Sequence, residues 1–146
     1  MKRLITATAL CLCLAACATS GRLTTEQKVQ LYRAHAGAPQ NDMPFTSSLS
    51  GWQELGDSAL AVWTRPGEAY LLELSGPCPD LPYAQAIGLT SRVGRVAARF
   101  DKVLVGGPGP GPQMPCFIAR IRPLDIKALR VAEQDLRQAA TQEREP

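Results

Sequence analysis

Near the start of the chain, apolar residues recur at the spacing of a helix. Thr24 and Gln27 match a capping box, in which each side chain binds the other residue's backbone N–H group. Gly37 follows as a stop signal. The apolar positions behind the cap are Val29, Tyr32 and Ala36. Together these features predict a helix over 25–36.

A second apolar stripe at helical spacing lies near the C-terminal end. It consists of Ile126, Leu129, Ala132 and Leu136. Glu133 and Arg137 stand four residues apart, the spacing of a favourable ion pair along a helix. The pattern predicts a helix that begins around Pro123 and runs to about residue 140, followed by a frayed tail over 141–146.

Between the two helices, short apolar runs alternate with polar residues, as strands do. The strongest example is 58–74, where Pro66 and Gly67 separate two alternating runs and predict a β-hairpin. Further strands are expected at 48–55, 86–91, 95–100, 102–105 and 116–122. The prediction is a single α+β domain over 24–140, with a small antiparallel sheet of five or six short strands, open or barrel-like, flanked by the two helices.

The first 16 residues are typical of an export signal rather than of a folded segment. Basic residues precede an apolar stretch over 4–14, which is too short to span a bilayer. The sequence Leu-Ala-Ala-Cys at 14–17 resembles the lipobox of bacterial lipoproteins, in which cleavage precedes a cysteine that receives a lipid. We therefore expect a signal peptide over 1–16, lipidation of Cys17 and a tether over 17–23. The alternative is an ordinary secretory signal or a short anchor, with Cys17 unmodified.

Residue 18 and the overall charge indicate the compartment and the partners. Ala18 stands where lipoproteins retained in the inner membrane carry Asp, so we expect the periplasmic face of the outer membrane. The net charge is +3, but loss of Lys2 and Arg3 with the signal takes the basic residues from 16 to 14, against 13 acidic ones. This balance gives no argument for a nucleic-acid partner.

The cysteines that remain after processing form one possible pair. Cys78 and Cys116 lie 38 residues apart, and in an oxidising compartment they are expected to form a disulfide. A redox-active thiol or a pair of metal ligands is the alternative. The chain has no Cys-x-x-Cys motif and a single histidine, His35, so we predict no metal and no cofactor.

Basic residues are concentrated in the C-terminal half. By strand alternation, Arg95 and Arg99 share one face, and Arg120 and Arg122 share another. The residues predicted on the opposite faces are Val96, Ala98, Phe100, Phe117, Ala119 and Ile121. If these strands pair, the four guanidinium groups form a patch that binds anionic groups. The alternative is an ordinary solvent-exposed face.

Other features offer weaker candidates for function. The glycine- and proline-rich run at 106–115 is expected to be an irregular connection, which in one alternative is the probe of an inhibitor. Carboxylates on or beside strands could supply a hydrolase pair, namely Glu54, Asp57, Glu68 and Glu73. Trp52 and Trp63 are expected to pack in the core. No nucleophile elbow accompanies the single histidine, so the sequence favours a non-enzymatic role.

Six short motifs carry a family resemblance. They are Gly51–Asp57, Ala61–Pro66, Tyr70–Pro79, Ile87–Ser91, Arg99–Val103 and Pro115–Pro123. With the Leu-Ala-Ala-Cys signal they resemble a family of small proteobacterial lipoproteins of unknown function, over roughly residues 25–130. The resemblance supports the lipid anchor and the pair of later cysteines, and it implies no activity, cofactor or catalytic residue.

These observations lead to one expectation and two alternatives. The expectation is a cell-envelope lipoprotein that faces the periplasm as a non-enzymatic binding or structural component. Its expected partners are the membrane, reached through the lipid on Cys17, and an envelope protein or an anionic envelope polymer. The alternatives are a disulfide-bridged inhibitor of a secreted or lytic enzyme, acting through the 106–115 loop, and a hydrolase with a carboxylate site.

Overall fold

The computed structural model describes residues 22–106 and 114–142, in which two helices flank one antiparallel sheet. Helix α1 spans Thr25–Ala34 and helix α2 spans Ile126–Gln142. The strands are β1 Asp42–Pro44, β2 Gly51–Glu54, β3 Ala59–Arg65, β4 Glu68–Leu74, β5 Ala86–Leu89, β6 Arg95–Ala97, β7 Lys102–Gly106 and β8 Met114–Pro123. A single 3-10 turn occupies Leu81–Tyr83. The predicted α+β fold is confirmed.

Six of the strands form a sheet that curls into a half-barrel in the order β2-β3-β4-β8-β7-β5. Strand β8 carries the curvature because its two halves have different partners: Met114–Phe117 pairs with β7 and Ile118–Pro123 pairs with β4. Strands β1 and β6 form a separate two-stranded ribbon. The ribbon adds Met43 and Val96 to the apolar core on the concave face of the half-barrel.

The two helices cover part of the opposite, convex face. Helix α1 begins as predicted, since Thr24 Oγ1 accepts a hydrogen bond from the Gln27 backbone N–H at 3.2 Å. Alternation along β3 and β4 points one set of side chains to the concave core and the other set to the helices. The set that faces the helices contains Leu71, Trp63 and three alanines, Ala59, Ala61 and Ala69. Because the alanine side chains are short, the helices can lie close to the sheet there.

The predicted β-hairpin and disulfide are both present. Strands β3 and β4 are joined by a turn from Arg65 to Glu68, and Gly67 in this turn has a φ of +93°. A type II turn, with Pro at its second position and Gly at its third, requires such a positive φ. Cys78 and Cys116 are disulfide-bonded, with their Cα atoms 6.0 Å apart and both residues buried. The bridge joins the irregular segment after β4 to strand β8.

Several predicted boundaries differ from the structure. The strand expected over 95–100 ends at Ala97, because the backbone N–H of Ala97 is bound by the side chain of Asp101 and Arg99 takes a left-handed φ of +70°. The ribbon strand β1 has no counterpart among the expected strands. At the C-terminal end, Leu136 is 41% exposed, so the apolar stripe of α2 is buried only over its first turns.

Some of the segments for which the sequence makes predictions lie outside the residues that the structure describes. This applies to the signal peptide, to Cys17, to most of the tether, and to residues 107–113 and 143–146. Among the residues that the structure covers, no helix is long and apolar enough to cross a bilayer.

Candidate functional site

The four arginines of the predicted patch occupy three different settings. Arg95 forms an ion pair with Asp42 across the β1–β6 ribbon. The Nε atom of Arg122 donates to the carbonyl oxygen of Gly37 at 2.8 Å, and its Nη2 donates to that of Ala36 at 3.1 Å. These two arginines therefore hold the segment after α1 and the ribbon in place.

Arg99 and Arg120, in contrast, line one shallow cavity of about 210 Å³, called here the arginine cavity. The remaining lining residues are Pro39, Gln40, Asn41, Ala98 and Ala119. Strand β8 brings the two arginines together, because the backbone N–H of Arg99 donates to the carbonyl of Ile118 at 2.6 Å. Across the cavity, the backbone N–H of Gln40 donates to the carbonyl of Ile121 at 2.8 Å. The sequence pattern gave no signal for Gln40 or Asn41.

A buried carboxylate fixes the turn that presents Arg99. Asp101 is 4% exposed, its Oδ1 accepts the hydroxyl of Thr90 at 2.7 Å and its Oδ2 accepts the backbone N–H of Ala97 at 2.8 Å. Within the turn, Arg99 has a φ of +70°, a conformation that residues other than glycine rarely adopt. Such strain persists only where surrounding contacts enforce it, and it is common at binding sites.

The carboxylate of Glu73 faces both Arg120 and Arg33, and Arg33 belongs to helix α1. Glu73 is buried on the convex face of β4; its Oε1 lies 2.8 Å from Nε of Arg33 and its Oε2 lies 3.6 Å from Nε of Arg120. Among the described residues, that Oε2 atom has no hydrogen-bond partner. One carboxylate thus faces two guanidinium groups, those of Arg33 and Arg120. The lining of the cavity itself contains Arg99 and Arg120 and no acidic side chain. The arginine cavity therefore has an excess of positive charge.

Two aromatic side chains beside the cavity are exposed, which corrects the alternation predicted for this region. Phe100 is 73% exposed because β6 has ended before it. Phe117 is 48% exposed, and Nζ of Lys102 lies 4.8 Å from the centroid of its ring. A register shift between β4 and β8 places both Ile118 and Ile121 in the core, so strict alternation fails along β8. No local sequence signal marks this bulge.

Two of the four carboxylates proposed for a hydrolase, Glu68 and Glu73, lie on opposite faces of one strand. Glu73 and Glu68 both lie on β4, but Glu73 shares the helix-covered face with Leu71, whereas Glu68 accepts the hydroxyls of Thr64 and Tyr70 at 2.9 and 3.0 Å. The hydrogen bond from Thr64 is the main cause that lowers the pKa of Glu68.

Within residues 22–106 and 114–142, no cluster of three or more His, Cys, Asp or Glu side chains could hold a metal ion.

A second cavity, of about 410 Å³, lies between the two edge strands of the half-barrel. Its apolar lining comes from Phe45, Leu49, Trp52, Ile87 and Leu89. Trp52 packs against the concave core and Trp63 against the core beneath the helices, so both tryptophans contribute to packing as expected. No charged side chain lines this second cavity.

Fold and site together define a small disulfide-bridged α+β protein with a basic surface cavity. Residues 1–140 match a protein family of unknown function, DUF6491, and the chain belongs to that family. No curated protein matches the sequence, and no solved structure does.

Proposed function

We propose that this chain is a non-enzymatic binding component of the cell envelope, which holds anionic groups of an envelope molecule in the arginine cavity. The observation that carries the proposal is the position of Arg99 and Arg120 on one open cavity beside a single shared carboxylate. A guanidinium group presents a planar fork of N–H donors that matches a phosphate or carboxylate, which makes arginine the usual residue for such recognition.

The balance of charge around Arg120 supports the same conclusion. Arg33 makes the shorter contact with Glu73, 2.8 Å against 3.6 Å for Arg120, and the side chain of Arg120 is 64% exposed. Arg120 can therefore turn its donors towards a ligand without leaving Glu73 unpaired. Since the attraction acts partly through water, binding should weaken as the salt concentration rises.

The envelope location rests on the lipidation proposed for Cys17. A tether over 17–23 reaches at most about 25 Å when fully extended, at roughly 3.5 Å per residue. A lipid on this cysteine would therefore keep the domain within that distance of a bilayer, where the anionic groups of the envelope are found.

The proposal is tested by titrating the full-length chain, purified in non-ionic detergent, with inorganic phosphate and following two sets of signals by NMR. These are the arginine Nε–Hε signals and the backbone amide signals of Ala98 and Ala119, which line the cavity and remain in every variant. We expect saturable shifts at Arg99 and Arg120. In the double variant R99Q/R120Q the affinity should fall roughly tenfold or more, because two charge-assisted hydrogen bonds are lost.

The matched control is Arg65→Gln. Arg65 is also exposed and also pairs with a glutamate, Glu68, but it lies at the turn between β3 and β4. Its replacement should leave the phosphate affinity unchanged. Equal affinity in R99Q/R120Q and the unaltered chain would disprove the proposed function.

A further inference from the structure

Beside the arginine cavity, two exposed aromatic side chains and three basic ones lie on neighbouring segments, and we name their surface the docking face. It consists of Arg99, Phe100, Lys102, Phe117 and Arg120, of which Lys102 is half-buried. Exposed apolar side chains that are grouped among polar residues mark surfaces that bind a partner or a membrane.

The contacts of the structure connect these five residues. Phe117 is in direct contact with Lys102, whose ammonium group lies over its ring. The next residue, Ile118, accepts the backbone N–H of Arg99 at 2.6 Å. Arg99 is followed by Phe100 at the tip of its turn, and it shares the arginine cavity with Arg120. The docking face is therefore continuous from strand β7 across β8 to the turn after β6.

Acidic groups near the docking face offset only part of its positive charge. Asp101 is buried and accepts hydrogen bonds from two neutral donors, the Thr90 hydroxyl and the Ala97 backbone N–H, so its carboxylate offsets one of the three basic groups. Glu73 is buried too, and its closest cation is Arg33 of helix α1. The three basic groups of the face thus present a positive field around two exposed rings.

We infer that the docking face rests on an anionic bilayer, an inference that builds on the proposed function because Arg99 and Arg120 serve both. The rings of Phe100 and Phe117 would enter the boundary between headgroups and acyl chains, while Arg99, Lys102 and Arg120 bind lipid phosphates. This pairing of aromatic and basic side chains is characteristic of surfaces that lie on membranes. Charge complementarity favours a bilayer rich in phosphatidylglycerol over a neutral one.

One structural observation and the proposed tether both support a bilayer as the partner of the docking face. The tip that carries Phe100 is held rigidly by Asp101, so little conformational entropy is lost when it inserts. The tether proposed over 17–23 keeps the domain close to the membrane, so that a weak surface contact is enough to orient it.

The test uses the full-length chain, produced in bacteria and reconstituted in vesicles. A nitroxide is attached at Phe100→Cys, and its collisions with oxygen and with a water-soluble nickel chelate are measured by electron paramagnetic resonance. The matched control carries the label at Tyr83→Cys. Tyr83 is an aromatic residue that is 83% exposed, and the surrounding segment 75–91 contains no Lys or Arg.

In vesicles of phosphatidylcholine with phosphatidylglycerol, we expect collisions of the nickel chelate with the label at 100 to fall about tenfold relative to phosphatidylcholine alone. The label at 83 should not respond. The triple variant R99Q/K102Q/R120Q, combined with the label at 100, should lose most of this protection.

Three results would overturn the inference. One is equal accessibility of the label at 100 in both kinds of vesicle; if phosphate still binds at the arginine cavity, the proposed function survives this result. Another is protection that persists in the triple variant, which would remove the role of the cations. The third is equal protection of the labels at 83 and 100 in anionic vesicles, which would show that the domain approaches the bilayer without presenting the docking face to it.

Discussion

Glu73 and Arg33 are joined by a contact of 2.8 Å that ties helix α1 to the convex face of strand β4. The other carboxylate oxygen of Glu73 faces Arg120 at 3.6 Å, at the edge of the arginine cavity. One buried side chain therefore connects the packing of a helix with the charge of the candidate site. Changing it should affect stability and anion binding in opposite directions.

We predict that Glu73→Gln lowers the free energy of unfolding by about 1–2 kcal/mol, because the hydrogen bond from Arg33 loses its charge assistance while solvent screens part of that loss. Phosphate affinity should rise a few-fold, since Arg120 no longer faces a carboxylate. Urea denaturation and the phosphate titration measure the two effects. Glu68→Gln, on the same strand but away from the cavity, serves as the control for binding. A variant that binds phosphate more weakly than the unaltered chain would contradict this account of the site.

A second prediction concerns Asp101, whose side chain holds the turn that carries Arg99. Comparing its alanine and asparagine variants distinguishes the effect of its hydrogen bonds from the effect of its charge. Asp101→Ala removes the acceptor for the backbone N–H of Ala97 and for the hydroxyl of Thr90. With these donors left unpaired in a buried site, the free energy of unfolding should fall by about 2–4 kcal/mol.

Asp101→Asn is the matched variant. Its amide oxygen can still accept from Ala97, and its NH₂ group can donate to the Thr90 hydroxyl, so most of the stability should be kept. We expect the alanine variant also to lose phosphate binding, because Arg99 is no longer held beside Arg120. Chemical denaturation and the phosphate titration check both points. Full binding by a destabilised, folded alanine variant would show that the turn does not position Arg99.

The sequence predicted those parts of the fold that local chemistry determines. The capping box of Thr24, the turn at Pro66-Gly67 and the alternation along β3 and β4 each need only neighbouring residues, and the structure confirms them. The disulfide was predictable because Cys78 and Cys116 are the two cysteines that lie beyond the expected signal peptide and lipidation site. These features require no knowledge of which strands lie side by side.

The composition of the arginine cavity was not predictable from the same patterns. Ribbon strand β1 is three residues long, which is too short for alternation to be recognised. Its residue Asp42 forms an ion pair with Arg95, so Arg95 does not line the cavity. The register shift in β8 depends on its pairing with β4, so the outward position of Phe117 has no local cause. Strand alternation predicted that four arginines share one patch. In the structure only Arg99 and Arg120 of these four line the cavity, because Arg95 and Arg122 make other contacts.

The disulfide should contribute a large part of the stability. Closing a loop over a sequence separation of 38 residues gives about 4 kcal/mol in the chain-entropy treatment. We therefore expect C78A/C116A to unfold at a clearly lower urea concentration than the unaltered chain. Dithiothreitol should destabilise the unaltered chain and leave the double variant unaffected. Equal unfolding midpoints for the two chains under oxidising conditions would contradict the prediction.

Acid should weaken the hairpin through Glu68. The hydrogen bond from Thr64 is the main cause that keeps the pKa of this carboxyl below its usual value, with Tyr70 and Arg65 acting in the same direction. A lowered pKa in the folded state adds stability above the unfolded pKa of about 4.3, and this contribution disappears as the pH falls through the folded value. Glu68→Gln should therefore show a flatter loss of stability below about pH 4. Urea denaturation between pH 7 and about pH 3 measures the slope, and identical slopes for both chains would refute the assignment.

Alkali should weaken the packing of helix α1 through Tyr32. Burial is the main cause that raises the pKa of this phenol, and the nearby carboxylate of Glu133 raises it further. A raised pKa in the folded state means that its stabilising effect is complete below the unfolded value of about 10 and declines as the pH rises above it, because only the unfolded chain then releases the proton readily.

Replacing Tyr32 by phenylalanine should therefore have opposite consequences at the two ends of this range. At pH 7 the variant loses the hydrogen bonds from the hydroxyl to Gln53 and Glu133, at 3.1 and 3.4 Å, and should be less stable by about 1 kcal/mol. Above about pH 10 it should lose stability with pH more slowly than the unaltered chain. Tyr83→Phe, at an exposed position, is the control and should not change the slope. Urea denaturation from pH 7 to about pH 11 decides the question, because a variant whose stability declines as steeply as that of the unaltered chain would show that Tyr32 does not titrate on unfolding.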